Sequence, residues 1–196
     1  MFAVIFEVEP KPERWDDYLA LAASLKPALE TIDGFISVER FASAKTKGRL
    51  LSLSLWRDEK AVVRWRSHGG HHAVQAKGRT EIFSNYHLRV GEIGGEPHPG
   101  DDAAFVTICE AKSGGAPSAD EPLGAIEQDL FESLIEPGKW LRLISWRDQE
   151  AADQGTRAVE SRSAGACYKV RIVRDYGMFE RGDAPQYHPP VPRTDA

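Results

Sequence analysis

Ser54–Ala61 reads SLWRDEKA, and Ile144–Ala151 reads ISWRDQEA. The shared core is Trp-Arg-Asp followed by Glu or Gln, at an offset of 90 from Ser54 to Ile144. Upstream, Phe41, Ser43 and Gly48 meet Phe131, Ser133 and Gly138 at that same offset. Self-similarity of this kind is the mark of a duplicated unit. The chain of 196 residues therefore divides into two small units rather than one medium domain.

Working outward from Trp56, the preceding Leu50–Trp56 (LLSLSLW) has period two and predicts a strand. Asp58 caps a helix predicted from Glu59 towards Gln75. Further upstream, Phe35–Phe41 (FISVERF) alternates as a second strand, and Lys45–Gly48 is a turn. Trp15, Tyr18, Leu19, Ala22, Leu25 and Leu29 recur at helical spacing, with Pro27 near the end and Gly34 as the stop. Phe2–Val8 (FAVIFEV) opens the unit as a strand, Thr80–Phe83 is a short segment, and Tyr86–Ile93 closes it as the fourth strand. The order β-α-β-β-α-β is the ferredoxin-like arrangement.

Gly94–Asp102 is a linker by composition, after which the pattern restarts. Ala104–Ala111 mirrors the first strand, and Lys112–Pro122 is a loop of small residues. Leu123–Leu134 carries apolar residues at helical spacing and predicts a helix. Trp140–Trp146 is a strand, a helix starts after Asp148, and Tyr168–Val173 closes the unit. The second copy is shorter before its Trp-Arg-Asp, so its second strand is expected to be shrunken or lost. The predicted units are 1–95, a degenerate copy at 103–180, and a tail at 181–196. Strands such as LLSLSLW leave a sheet face that needs cover. The fold class is thus α+β, tandem βαββαβ units packed as one intramolecular α+β barrel.

Composition excludes several function classes. A formal net charge of −5 gives no basic footprint for nucleic acid or an anionic membrane. No apolar run approaches the ~20 residues of a membrane-spanning helix. The N-terminus reads as a strand without a basic n-region. Cys109 and Cys167 are too few for a zinc site and read as two buried thiols in a reducing cytoplasm. Gly-x-Gly-x-x-Gly, P-loop and Gly-x-Ser-x-Gly motifs are absent.

The sequence resembles the antibiotic biosynthesis monooxygenase superfamily of dimeric α+β barrels, in its tandem form. The resemblance is carried over Phe2–Ile93 by Trp56-Arg57-Asp58-Glu59, by Trp65-x-x-His68-Gly-Gly-His71-His72, by Gln75 and Gly78-Arg79, and by Phe83-x-x-Tyr86-x-Leu88-x-Val90. The second copy shares Trp146-Arg147-Asp148, and Arg174–Tyr187 is similar to the tail of tandem members. The resemblance implies a cofactor-free oxygenase of a small aromatic or phenolic compound, with dioxygen as the second reactant. It also implies a pseudo-dimer within one chain or a homodimer. A non-catalytic ligand-binding barrel and a haem-degrading enzyme are the alternatives. The haem-degrading branch places a histidine ten residues after its second tryptophan, where this chain has Gln75, and an asparagine on the first strand, where this chain has none.

Four histidines fall between His68 and His87, and none in the second copy before His188. Function is therefore expected in the first copy. His72, then His71, are the candidate acid/base residues, since an imidazole titrates near neutrality. His68 is a candidate substrate contact and shares a helical face with His72 if the helix survives Gly69-Gly70; no third ligand stands nearby in sequence for a metal. Trp56, Trp65, Phe83 and Tyr86 are candidate aromatic walls, and Arg79 a candidate anion contact or a partner for the helix dipole.

Overall fold

The computed structural model describes residues 1–96, 103–112, 120, 122–161 and 165–193. Residues 97–102 of the linker, 113–119 and 121 of the small-residue loop, and 194–196 of the tail lie outside the described residues.

The N-terminal half contains β1 (Phe2–Pro10), α1 (Trp15–Glu30), β2 (Phe35–Ser43), β3 (Leu50–Trp56), α2 (Glu59–Arg66), α3 (Gly69–Lys77) and β4 (Phe83–Ile93). The C-terminal half contains β5 (Phe105–Lys112), β6 (Ala125–Ser133), β7 (Lys139–Trp146), α4 (Gln149–Glu160) and β8 (Cys167–Gly177). The eight strands close into one barrel in the order β1-β3-β2-β6-β7-β5-β8-β4. Within each half the order is the ferredoxin-like one, and β2–β6 and β4–β8 are the seams between halves.

Alternation along each strand sorts its side chains. On β1, Ala3 and Ile5 face the barrel interior, and on β3 so do Leu51 and Leu53. Their neighbours Val4, Phe6, Ser52 and Ser54 face the helices. The interior is filled by both halves together, with Phe41 and Phe131 both fully buried. Asp58 accepts a hydrogen bond from the Ala61 amide at 2.8 Å, and Asp148 accepts one from the Ala151 amide at 2.8 Å. These matched N-caps explain why the Trp-Arg-Asp phrase survives in both copies. At Ser67–His68 the helical path breaks: His68 is extended, and α3 begins at the two glycines.

The seams carry a pseudo-twofold relation. Phe41 lies opposite Ser133 and Ser43 opposite Phe131, so equivalent residues exchange places about Ala42 and Glu132. The Ser43 hydroxyl donates to Asp129 at 2.7 Å, and the Ser133 hydroxyl donates to Glu39 at 2.7 Å. Lys139 pairs with Glu39 from the other side of the same seam. At the second seam Glu92 stands opposite Arg171, with Gly91 and Ile93 facing Ile172 and Val170. Each half thus treats the other as an isologous partner.

Three expectations are corrected. Leu123–Leu134 is not a helix; it holds strand β6, in which Asp129, Phe131 and Ser133 are buried in alternation. Leu123, Ile126, Leu130 and Leu134 mimic a helical stripe, yet Leu123 is 97% exposed. Pairing with β2 and β7 decides the segment. It follows that the second copy keeps its second strand, and among the described residues between β5 and β6 no helix stands. Finally, Cys109 and Cys167 are not separate thiols. They stand opposite each other on β5 and β8 and form a disulfide.

Candidate functional site

The N-terminal half leaves a cavity of about 190 Å³ between the outer face of its sheet and helices α1 to α3. Val4, Phe6, Val38 and Leu88 form much of the apolar floor, and Tyr18, Leu21 and Leu25 of α1 form part of the roof. The end of β8 and the following chain add Arg174, Tyr176, Arg181, Gln186 and His188 to the wall. The C-terminal half thereby completes a site in the N-terminal half. Tyr176 reaches it because β8 runs on past β5 and pairs with Leu88 of β4.

His71 lies in this wall and stacks on Trp65, ring centroids 4.4 Å apart at 19°. Its Nδ1 is 3.1 Å from the Trp65 carbonyl oxygen. A carbonyl only accepts, so Nδ1 carries the proton and Nε2 keeps its lone pair. Burial holds this imidazole down to about 4 from its usual 6.5, and the Trp65 carbonyl opposes that fall. At neutral pH His71 is therefore an uncharged base of fixed tautomer.

The opposite end of the site is cationic. Arg79 is 4% exposed and donates to the Tyr86 hydroxyl oxygen at 2.6 Å and to the Met178 carbonyl at 3.1 Å. Arg181 donates to the same Tyr86 oxygen at 2.7 Å and to the Gln186 carbonyl at 2.8 Å. Burial pushes the Tyr18 phenol above its usual value, and the Arg40 guanidinium beside it opposes that rise. Two buried polar atoms of the lining, Arg40 Nε and Gln75 Oε1, have no hydrogen-bond partner. Such atoms are normally satisfied by protein groups or by water, so both are open to a partner in the cavity.

Of the candidates read from sequence, Trp65, His71, Arg79, Phe83 and Tyr86 line the cavity. Trp56 does not; it is 1% exposed in the packing beneath α2, its indole donating to the Ser54 hydroxyl at 2.9 Å. His72 is exposed and stacks on His188 at 5.2 Å between centroids. His68 stacks on the far end of the Trp65 arrangement at 5.6 Å, before α3 begins. The shared helical face of His68 and His72 is therefore not formed. Among the described residues no three His, Cys, Asp or Glu side chains are grouped to hold a metal ion, and no helix is long and apolar enough to cross a membrane.

Arg40, Gln75, Arg174, Tyr176, Arg181, Gln186 and His188 belong to the site without having been singled out as site residues from the sequence. Arg40 had a legible signal: in FISVERF it shares a strand face with Val38, a cation on the face covered by helices. The tail residues had only the family-like segment Arg174–Tyr187 to mark them.

Residues 1–77 match the family model for antibiotic biosynthesis monooxygenase. The chain is 36% identical to the jasmonate monooxygenase ABM of Pyricularia oryzae, with 97% of this chain and 100% of that protein covered. It is 32% identical to the uncharacterized protein YqjZ of Bacillus subtilis, over 47% of this chain and 78% of that one. Among solved structures an aldoxime dehydratase superposes with a TM-score of 0.57 at 9% identity, covering 87% of this chain and 80% of that one, a likeness of fold alone.

Proposed function

The chain belongs to the antibiotic biosynthesis monooxygenase family, and from that premise we propose that its N-terminal half is a monooxygenase of a small aromatic or phenolic compound. The relative named as a jasmonate monooxygenase supports oxygenation of a small molecule. The observation that carries the reading is His71: a neutral, tautomer-fixed base set in the wall of a largely apolar cavity with a cationic far end. Nε2 takes a proton from an activated carbon of the substrate. The resulting carbanion gives one electron to dioxygen, and the two radicals combine as a peroxide. A second hydrogen then leaves that carbon as the O–O bond breaks, yielding a carbonyl and water. The substrate supplies all four electrons that dioxygen takes up, so this reading needs no resident cofactor.

The test is oxygen uptake with a panel of anthrones and quinols, using wild type, His71→Ala and His72→Ala. His71→Ala is expected to lower kcat/KM by about 10²–10⁴, the range for loss of a general base, and His72→Ala to leave it within about threefold. In wild type kcat/KM should stay level from neutral pH down to about 5 and halve near 4, the value of His71. A limb at 6 to 7, where an unburied imidazole titrates, would move the role away from His71. No uptake with any member of the panel would leave the non-catalytic ligand-binding barrel as the better reading.

A further inference from the structure

We propose that the ligand of this cavity is an apolar carboxylate, held by Arg79 and Arg181 at the Tyr86 end while its reacting carbon lies under His71. This rests on the N-terminal cavity being a monooxygenase site, and it adds the substrate's charge and its orientation.

The positive charge at the Tyr86 end is unbalanced. Arg79 and Arg181 donate only to neutral oxygens: the Tyr86 hydroxyl and the carbonyls of Met178, Pro189 and Gln186. Among the described residues neither has a carboxylate within ion-pair distance. Arg174, on the same wall, differs, because Glu59 pairs with it. A buried guanidinium left without an anion is costly, and such a cost persists where function requires it. Burial and the fields of Arg181 and Arg79 also hold the nearby His188 imidazole below its usual value, so it adds no anion and little cationic competition.

Geometry then selects the anion. Two planar guanidinium forks converge on one hydroxyl oxygen, which suits a small planar acceptor taken from both sides. Tyr86 already accepts from both, so its own O–H is left to donate to the ligand. The rest of the lining is largely apolar, so the ligand's body is hydrocarbon and its charge sits at one end. His71 and Arg79 lie eight residues apart, along α3 and the helical turn that follows it, a backbone rise of about 12 Å. That spacing separates anchor from base. Arg79 therefore grips a remote group rather than stabilising the atom that His71 deprotonates.

The anchor also has two origins in the chain. Arg79 comes from the helix layer of the N-terminal half, and Arg181 from the segment beyond β8. The Gln186 side chain donates to the Arg66 carbonyl at 3.1 Å and holds that segment across the site.

The test compares 1-naphthaleneacetate with its neutral isostere 1-naphthaleneacetamide, titrated against the full chain by tryptophan fluorescence. Wild type should bind the carboxylate at least tenfold more tightly. Arg181→Gln, which alters a partly exposed tail residue, should bring the two ligands to within about twofold, and Arg181→Lys should keep part of the preference. Arg79→Gln should do as Arg181→Gln does where circular dichroism shows the fold retained. Equal binding of both ligands by wild type, a preference that survives Arg181→Gln, or no carboxylate binding at millimolar concentration would each overturn the proposal. Binding is read without oxygen. An arginine-dependent preference with no oxygen uptake would sink the monooxygenase reading alone, and uptake without the preference would sink only the anchor.

Discussion

Both halves set a buried tryptophan beneath the helix that follows it, but only one leaves room beside it. Trp56 and Trp146 are 1% and 2% exposed, and each indole donates to a hydroxyl, Ser54 at 2.9 Å and Thr107 at 2.8 Å. In the C-terminal half, α4 lies so close that a Cβ on Gly155 would stand 2.0 Å from the Trp146 ring. At the repeat offset of 90, the place of Gly155 is taken by Trp65, whose indole stacks on His71 at the cavity edge. The N-terminal half also has α1 and α3, for which the C-terminal half has no described counterpart. One scaffold thus yields a packed layer or a vacant one, according to what the helix sets against the sheet.

The largest effect should fall where the halves are alike. Phe41→Ala and Phe131→Ala each empty an equivalent, fully buried place at the seam and should each cost about 3–5 kcal/mol in denaturant unfolding. A difference above about 1 kcal/mol between them would break the equivalence. Next comes a bond found in one half alone. The Cys109–Cys167 disulfide spans 58 residues, and its reduction should cost about 2–4 kcal/mol. Oxygen uptake well below the melting temperature should be unchanged, because both sulfurs sit in the cluster under α4 and not in the cavity. Parallel loss of activity would show that the halves are not separable in this way. The smallest effect tests the contrast itself. Gly155→Trp overpacks α4 against Trp146 and should cost about 1–3 kcal/mol by thermal melting. The reverse change, Trp65→Gly, should leave the fold intact and lower uptake at least tenfold by removing the surface that His71 stacks on.

The barrel was legible because its evidence came from the repeat, and the one misread element lay where local periodicity was preferred to it. Phe131 and Ser133 match residues of a strand, Phe41 and Ser43, and those matches already argued against a helix at Leu123–Leu134. Ile126 and Leu130 on β6, with Leu123 and Leu134 just outside it, counterfeit the helical period, and only the pairing across the seam separates the two. The site was legible as far as α3 and β4. His71 and His72 are adjacent and chemically identical in sequence, and their difference arises from the break at His68, which turns one to the cavity and the other to solvent. Arg181 and Gln186 are brought in by the extension of β8, a tertiary event with no local pattern.

That extension also orders events in time. The N-terminal half leaves the ribosome first, yet the wall of its cavity is finished by residues from Arg174 to His188. At about 5–20 residues per second, the growing chain spends roughly five to twenty seconds with the first four strands made and the anchor end of the site still incomplete. On the proposed reading, a chain cut short before Arg181 keeps His71 and Arg79 but lacks the second arginine of the anchor.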